Sequence, residues 1–194
     1  MDRAVCILQG HPHGQKKHLC HAITEAYVDG AKATGAKVRR IDLGEMDIPL
    51  FRDPAEFGKP PAEAIVAAQK AIKSSDHLVV IYPLWLGTMP AAVKAFFEQI
   101  CRNNFAIEAD AKGGWPRQQL KGKSARVIVT MGMPAAAYQL MFGAHGVRGF
   151  ESSILGMSGI KPIRETLIGG VGSLSRTKAE ALLARMRRLG AQLA

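Results

Sequence analysis

His77-Leu-Val-Val-Ile-Tyr-Pro-Leu-Trp-Leu-Gly-Thr-Met-Pro-Ala-Ala-Val-Lys-Ala-Phe-Phe97 decides how the rest of the chain is read. Residues 78–81 form an unbroken apolar run without alternation, the pattern of a strand buried on both faces of a parallel sheet. Tyr82-Pro83 ends the run, because proline has no N–H for the sheet ladder. Pro90 stands where a helix would begin, its fixed φ suiting a first turn. After it Val93, Phe96, Phe97 and Ile100 fall on one helical face. The stretch is therefore a strand, a loop and a crossover helix. The loop, Pro83-Leu84-Trp85-Leu86-Gly87, sits at the carboxyl edge of an open α/β sheet, where ligands bind. The alternative is a core strand with an aromatic covering its end.

Outward from this stretch the text alternates strand and helix. Ala4 to Gln9 reads as a first strand, followed by the loop Gly10-His-Pro-His-Gly-Gln-Lys-Lys-His18 and a helix with Leu19, Ile23, Ala26 and Tyr27 on one face. Backbone N–H groups at that helix start, with Lys16 and Lys17 beside them, make a natural phosphate site. The alternative is a solvated basic turn. His11, His13, His18, Cys20 and His21 could be read as a metal cluster, but their spacing matches no standard zinc pattern, and no metal is expected. Residues 37–43 are a second strand, and residues 44–61 a long irregular connection carrying Met46, Ile48, Leu50 and Phe51. A helix is expected over 63–75, with Ile65, Ala68 and Ile72 facing inward. Beyond the central stretch come a second long loop over 105–123 holding Trp115, and a strand over 125–130. Phe150, Ile154 and Met157 share the face of a short helix ending at Gly159. A fifth strand spans 163–168, and a closing helix carries Leu182, Met186, Leu189 and Leu193. The expected architecture is α/β, a five-stranded parallel doubly wound sheet of order 2-1-3-4-5 with helices on both faces, and residues 1–194 as one domain.

Composition bounds the function. The 194 residues suffice for one real core, and no run is long and unbroken enough for a membrane span, since two prolines and a glycine interrupt 78–93. No signal peptide is expected, since the first apolar run is too short and no cleavage pattern follows it. Three cysteines, Cys6, Cys20 and Cys101, without a CxxC pair suggest reduced thiols and a cytoplasmic protein. Twenty-six Lys and Arg against 16 Asp and Glu leave a formal charge of +10, which suggests an anionic ligand. Part of the excess, Arg185, Arg187 and Arg188, reads as a solvated helix face. Nucleic acid is the competing partner, but the aromatics are few and do not interleave with the basic residues. Two nucleotide motifs nearly match and are rejected. Gly122-Lys123-Ser124 resembles a P-loop, but Arg117 stands where a glycine belongs and the triplet precedes its strand. Gly170-Val-Gly172 leaves too little chain for a βαβ unit.

Three separated motifs together resemble the flavin-dependent NAD(P)H:quinone oxidoreductases with a flavodoxin-like fold, a family that includes DT-diaphorase. Gly10-His11-Pro12 is similar to the family's phosphate loop. Pro83-Leu84-Trp85 and Met89-Pro90 are similar to its flavin-ring loop. Thr130-x-Gly132, then Tyr138 and His145-Gly146, resemble its third motif. The resemblance implies that His11, Lys17 and His18 hold flavin phosphate. It implies that Pro83, Leu84, Trp85, Leu86 and Gly87 flank the isoalloxazine, with Thr130, Met131, Gly132 and Met133 along its other edge. Tyr138 and His145 match the family's pair beside the hydride-transfer site. Two departures stand out. Lysines and His18 replace the usual hydroxyl and amide residues of the phosphate loop, and Met133 replaces a glycine of the third motif.

A single helix-start phosphate site beside two lysines, with no second nucleotide fingerprint, favours FMN as cofactor, with FAD as the alternative suggested by Gln69, and the family implies NAD(P)H as electron donor. The expected function is two-electron transfer to a quinone or similar acceptor by a ping-pong mechanism, in a homodimer with its site near the subunit interface. The competing class is a flavin-binding ancillary subunit of a potassium-efflux-type transporter with little turnover.

Overall fold

The structure, a computed structural model, describes residues 3–14, 18–110 and 113–193. Strand β1 (Ala4–Gln9) is buried at every position and lies between β2 (Lys37–Asp42) and β3 (His77–Pro83). Such double-sided burial is why its sequence lacks alternation. Beyond β3 come β6 (Ser124–Thr130) and β7 (Ile163–Ile168), all parallel, in the order β2-β1-β3-β6-β7. Along the sheet Val5 faces Val38 and His77, and Leu78 faces Ala125. With the two short antiparallel strands β4 (Ile107–Glu108) and β5 (Arg117–Gln118) set aside, this is the expected 2-1-3-4-5 order.

The pleat sorts the core into two halves. Val5, Ile7, Val79 and Ile81 face α1 (Leu19–Ala33) and α6 (Arg176–Gln192); Cys6, Leu8, Leu78 and Val80 face α2 (Glu63–Lys73) and α3 (Ala91–Ile100). Helices α1 and α6 cross at glycines: a Cβ on Gly30 would stand 1.9 Å from the Arg187 carbonyl oxygen, and one on Gly190 2.1 Å from that of Tyr27. Ala91 opens α3 after Pro90, and Val93, Phe96, Phe97 and Ile100 are buried. Arg102, at its end, staples the irregular connection after β2 by donating to the carbonyls of Glu56 at 3.0 Å, Lys59 at 3.2 Å and Pro60 at 3.2 Å.

Five expectations need correction. Strand β2 stops at Asp42, Leu43 opening a 3₁₀ turn over Leu43–Glu45, and α2 stops at Lys73. Residues 105–123 hold the small hairpin, pinned by Arg117 and Glu108 at 2.8 Å. Phe150–Gly156 is a π-helix, whose i→i+5 turn puts Phe150 and Leu155 on the buried face and leaves Met157 partly exposed. Helices α4 (Ala135–Phe142) and α5 (His145–Gly149) have no counterpart in the sequence reading, because α4 is apolar all round and gives no amphipathic period. No helix among the described residues is long and apolar enough to cross a membrane.

Candidate functional site

In a parallel sheet every strand delivers its following loop to one edge, and at the reversal of winding between β1 and β3 the two loops part to leave a crevice. Gly10 leaves β1 so close to β3 that its N–H donates to the Ile81 carbonyl at 2.6 Å, and a Cβ there would meet that oxygen at 2.9 Å. After β3 the Leu84 N–H donates to the Thr130 carbonyl at 2.7 Å, tying the second loop to the end of β6. Trp85 and Thr88 then exchange backbone hydrogen bonds of 2.9 and 3.1 Å around Leu86 and Gly87, whose φ values are 49° and 82°. Two successive positive φ angles define a type I′ turn, in which glycine is at ease and leucine costs about 1 kcal/mol. The strained Leu86 side chain is fully exposed, and Trp85 is half-exposed beside it. Large apolar groups held rigidly in water at a sheet edge form a wall for a planar apolar ligand.

The first loop gathers imidazoles. His11 is buried, its backbone N–H held by the Gln9 side-chain oxygen, and its ring stacks on His18 at 3.9 Å and 11°. The His13 N–H donates to His11 Nδ1 at 3.1 Å, while His13 Nδ1 and His18 Nε2 lie 2.7 Å apart. His21, one turn into α1, is buried with Nδ1 unpartnered. Burial, then the neighbouring His18, His21 and His13, hold His11 down to about 4, so it is neutral at ordinary pH. Helix α1 starts after His18 with no side-chain cap and no acidic residue in its first turn. Open amides, imidazole donors and an orphaned buried nitrogen together suit an anion of phosphate type. The edge of Trp85 meets the His11 ring at 6.0 Å, so the two loops share one crevice. Behind it the Cys20 thiol and Thr130 hydroxyl are 3.3 Å apart, and burial pushes that thiol up to about 11, which keeps it an unreactive proton carrier.

On the outer side of the Trp85–Thr88 turn lies a cavity of about 800 Å³, lined by Trp85, Leu86, Met89, Lys94, His145 and Phe150 among others. Helix α5 forms its far wall and presses on the turn: a Cβ on Gly146 would lie 2.3 Å from the Gly87 carbonyl oxygen. Tyr138 completes the clasp. It is buried, and its hydroxyl donates to that carbonyl at 2.9 Å. Burial raises the phenol above its ordinary value, and the facing amides of Val147 and Gly146 oppose the rise. His145 is exposed and folds back over Gly143, whose Cβ would meet its Nε2 at 2.6 Å.

Of the residues singled out in the sequence, His11, His18, Trp85 and Leu86 line the crevice or its rim. Pro83, Leu84 and Gly87 shape the second loop. Thr130 and Met131 are buried at the end of β6, whereas Gly132 and Met133 are exposed beyond it. Lys17 lies outside the described residues, as does Lys16. Gln69 is occupied elsewhere: its side-chain N–H group donates to the carbonyls of Ile100 at 2.9 Å and Arg102 at 3.2 Å, joining α2 to α3. Sequence reasoning placed His13 and His21 only in a rejected metal cluster, and among the described residues no three His, Cys, Asp or Glu are arranged for a metal ion. Their role beside His11 was signalled by one fact alone, four histidines within eleven residues of a loop and a helix start. Thr88, Lys94 and Phe150 of the outer cavity carried no signal, since only folding brings α3 and the π-helix to the turn.

Comparison with known proteins bears on this geometry. The model of a family described as having a flavodoxin-like fold matches residues 3–193. The chain is 27% identical over 199 residues to NAD(P)H dehydrogenase [quinone] 1 of Cavia porcellus, covering 89% of this chain and 70% of that protein. It is 26% identical over 200 residues to the FMN-dependent NADH:quinone oxidoreductase of Nitratidesulfovibrio vulgaris, covering 92% and 94%. The solved NAD(P)H:quinone oxidoreductase of Methanothermobacter marburgensis superposes with a TM-score of 0.80 at 23% identity over the whole of both chains, a likeness of fold.

Proposed function

Because the chain belongs to the flavodoxin-like fold family, we propose that it is an FMN-dependent oxidoreductase passing two electrons from NAD(P)H to a quinone or similar acceptor. The observation that carries the proposal is the apolar cavity of about 800 Å³ against the rigid Trp85–Thr88 turn, adjoining a phosphate-type crevice. A soluble redox cofactor needs those two surfaces side by side: one for its charged tail, one for its reacting ring and the substrate. The names of the relatives point to the same chemistry.

In this reading His11, His18 and Lys17 hold the phosphate. Residues 83–87 and 130–133 flank the ring, which when bound supplies hydride acceptance and release. The orphaned His21 Nδ1 and the uncapped start of α1 fit such an anion. Trp85 and Leu86 exclude water from one side of the reacting plane. Tyr138 is a positioning residue, since its hydroxyl holds the Gly87 carbonyl and so the turn. His145, at the cavity, is the group that would carry a proton to the reduced acceptor. Donor and acceptor share one cavity, which supports a ping-pong order. FMN is favoured over FAD because Gln69 is committed to α3 carbonyls. The exposed Leu140, Met141 and Phe142 of α4, next to the cavity's α5 wall, support a homodimer that covers them. A cytoplasmic setting agrees with three free cysteines, two of them buried.

The test is the absorption spectrum of the purified protein with mass spectrometry of the heat-released cofactor, followed by NAD(P)H oxidation with a panel of quinones. Bound FMN and quinone-dependent turnover are expected. Absence of flavin after reconstitution would overturn the proposal. Retained flavin without turnover would leave a binding role only, and a fully active monomer in light scattering would remove the dimer.

A further inference from the structure

We propose that the four imidazoles of the first loop and the start of α1 form a protonatable phosphate clamp, in which His13 and His21 join His11 and His18 and the cluster takes up a proton as the anion binds. This rests on the flavin reading above and adds how the phosphate is held and what its retention responds to.

The geometry sets the proton count. A contact of 2.7 Å between His13 Nδ1 and His18 Nε2 needs one N–H and one lone pair. In a neutral pair the ring that donates into this contact presents a bare nitrogen on its other side, which repels an anion. One added proton turns that nitrogen into a second donor. His11 is fixed differently. Its Nδ1 accepts from the His13 amide, so its own proton sits on Nε2 as a ready donor, and burial keeps the ring neutral down to about 4. Stacked on His18 at 3.9 Å, a second cation would face the first directly. The cluster therefore has room for one extra proton, on the His13–His18 pair. His21 Nδ1 is buried without a partner, with its ring 5.6 Å from His11 and 5.9 Å from His18.

Among the described residues, the other groups facing the cluster do not supply that charge. Burial first, then His18, lowers the pKa of His21; Asp42 opposes this, and Arg40, bonded to Asp42 at 2.6 and 2.8 Å, works with it. Glu45 flanks Gly14 from the turn after β2. Cys20, Thr130 and Trp85 carry no charge, and Lys16 and Lys17 belong to the same loop outside the described residues. A phosphate monoester brings a charge of roughly −1.5 to −2. An imidazole changes charge between pH 5 and 8, so such an anion draws a proton onto it. By linkage, the dissociation constant then rises with pH, up to roughly tenfold per unit for one proton taken up.

The test follows the fluorescence of FMN released when the purified flavoprotein is diluted at pH 6.5, 7.5 and 8.5, with riboflavin reconstitution as the phosphate-free control. The expected result is FMN dissociation that weakens binding roughly three- to tenfold per unit of rising pH, and a flat riboflavin profile. His18→Asn and His13→Asn keep an amide but cannot take up the proton, and should flatten the FMN profile while circular dichroism stays native. Calorimetric FMN binding in buffers of different ionisation enthalpy should count about one proton for the wild type and none for His18→Asn. An FMN profile that is flat in the wild type, or unchanged in both variants, overturns the clamp while leaving the flavin reading standing. A protein that neither carries nor takes up FMN overturns that reading, and the clamp with it.

Discussion

The two ends of the central sheet each bury a histidine, and the surroundings give the pair opposite meanings. At the amino-terminal edge His77 opens β3, with Nδ1 2.8 Å from the Ser124 hydroxyl and Nε2 buried without a partner. At the carboxyl-terminal edge His11 stacks on His18. Both rings are held down to about 4, with burial the largest cause in each. The second cause differs. Around His77 it is arginine charge from Arg126, Arg3 and Arg164, which no proton can leave; around His11 it is other imidazoles, which exchange protons with solvent. The amino edge sets its histidine among fixed charges and is a matter of stability. The carboxyl edge gathers adjustable groups around a crevice and is a matter of binding.

The largest expected effect tests the amino edge. A neutral buried imidazole with a lowered folded pKa binds fewer protons than the unfolded chain, so its stabilisation is complete above about 6.5 and is lost as pH falls toward 4. Between pH 7 and 4 this removes about 3 kcal/mol. Denaturant midpoints across that window should fall for the wild type and stay flatter for His77→Leu; equal pH slopes would dissolve the contrast between the edges.

The next effect tests the carboxyl edge as a rigid construction. In Gly146→Ala the new methyl meets the Gly87 carbonyl and Thr88, an overpacking of about 2 kcal/mol. The melting temperature should drop and flavin reduction should slow together. An unchanged stopped-flow rate would mean the turn yields freely. Tyr138→Phe keeps the ring and removes only the bond to Gly87. Its expected effect is about 1.4 kcal/mol, roughly a tenfold slower reduction by NAD(P)H with flavin retained. A wild-type rate would make the phenol a packing group. Smallest is Gln69→Ala, which removes two donations to α3 carbonyls at a cost of about 1 kcal/mol or less. Heat-released cofactor of unchanged mass is expected, and a change in flavin identity would return Gln69 to the site.

Much of this architecture could be read from the residues, and the unread parts share a cause. The apolar runs of β1 and of residues 78–81 mark buried parallel strands because both faces must be covered. Proline at 90 and the Val93–Phe96–Phe97–Ile100 spacing mark α3, because helix starts and amphipathic faces are local properties. Helix α4 went unread because Leu140, Met141 and Phe142 break the rule that apolar residues face inward. The π-turn went unread because Phe150 and Leu155 are five apart, a period that sequence reading does not seek.

The sequence by itself determined the strands, the crossover helices and the two loops that leave β1 and β3, since periodicity, proline and glycine act within a few residues. Only the tertiary structure decided that His13 and His21 close on the His11–His18 stack, that Tyr138 holds Gly87 from 51 residues away, and that α3 and α5 enclose a cavity around Trp85. Those contacts join segments far apart in the chain. Their energies exist only once the sheet has brought the segments to one edge, so no local pattern records them.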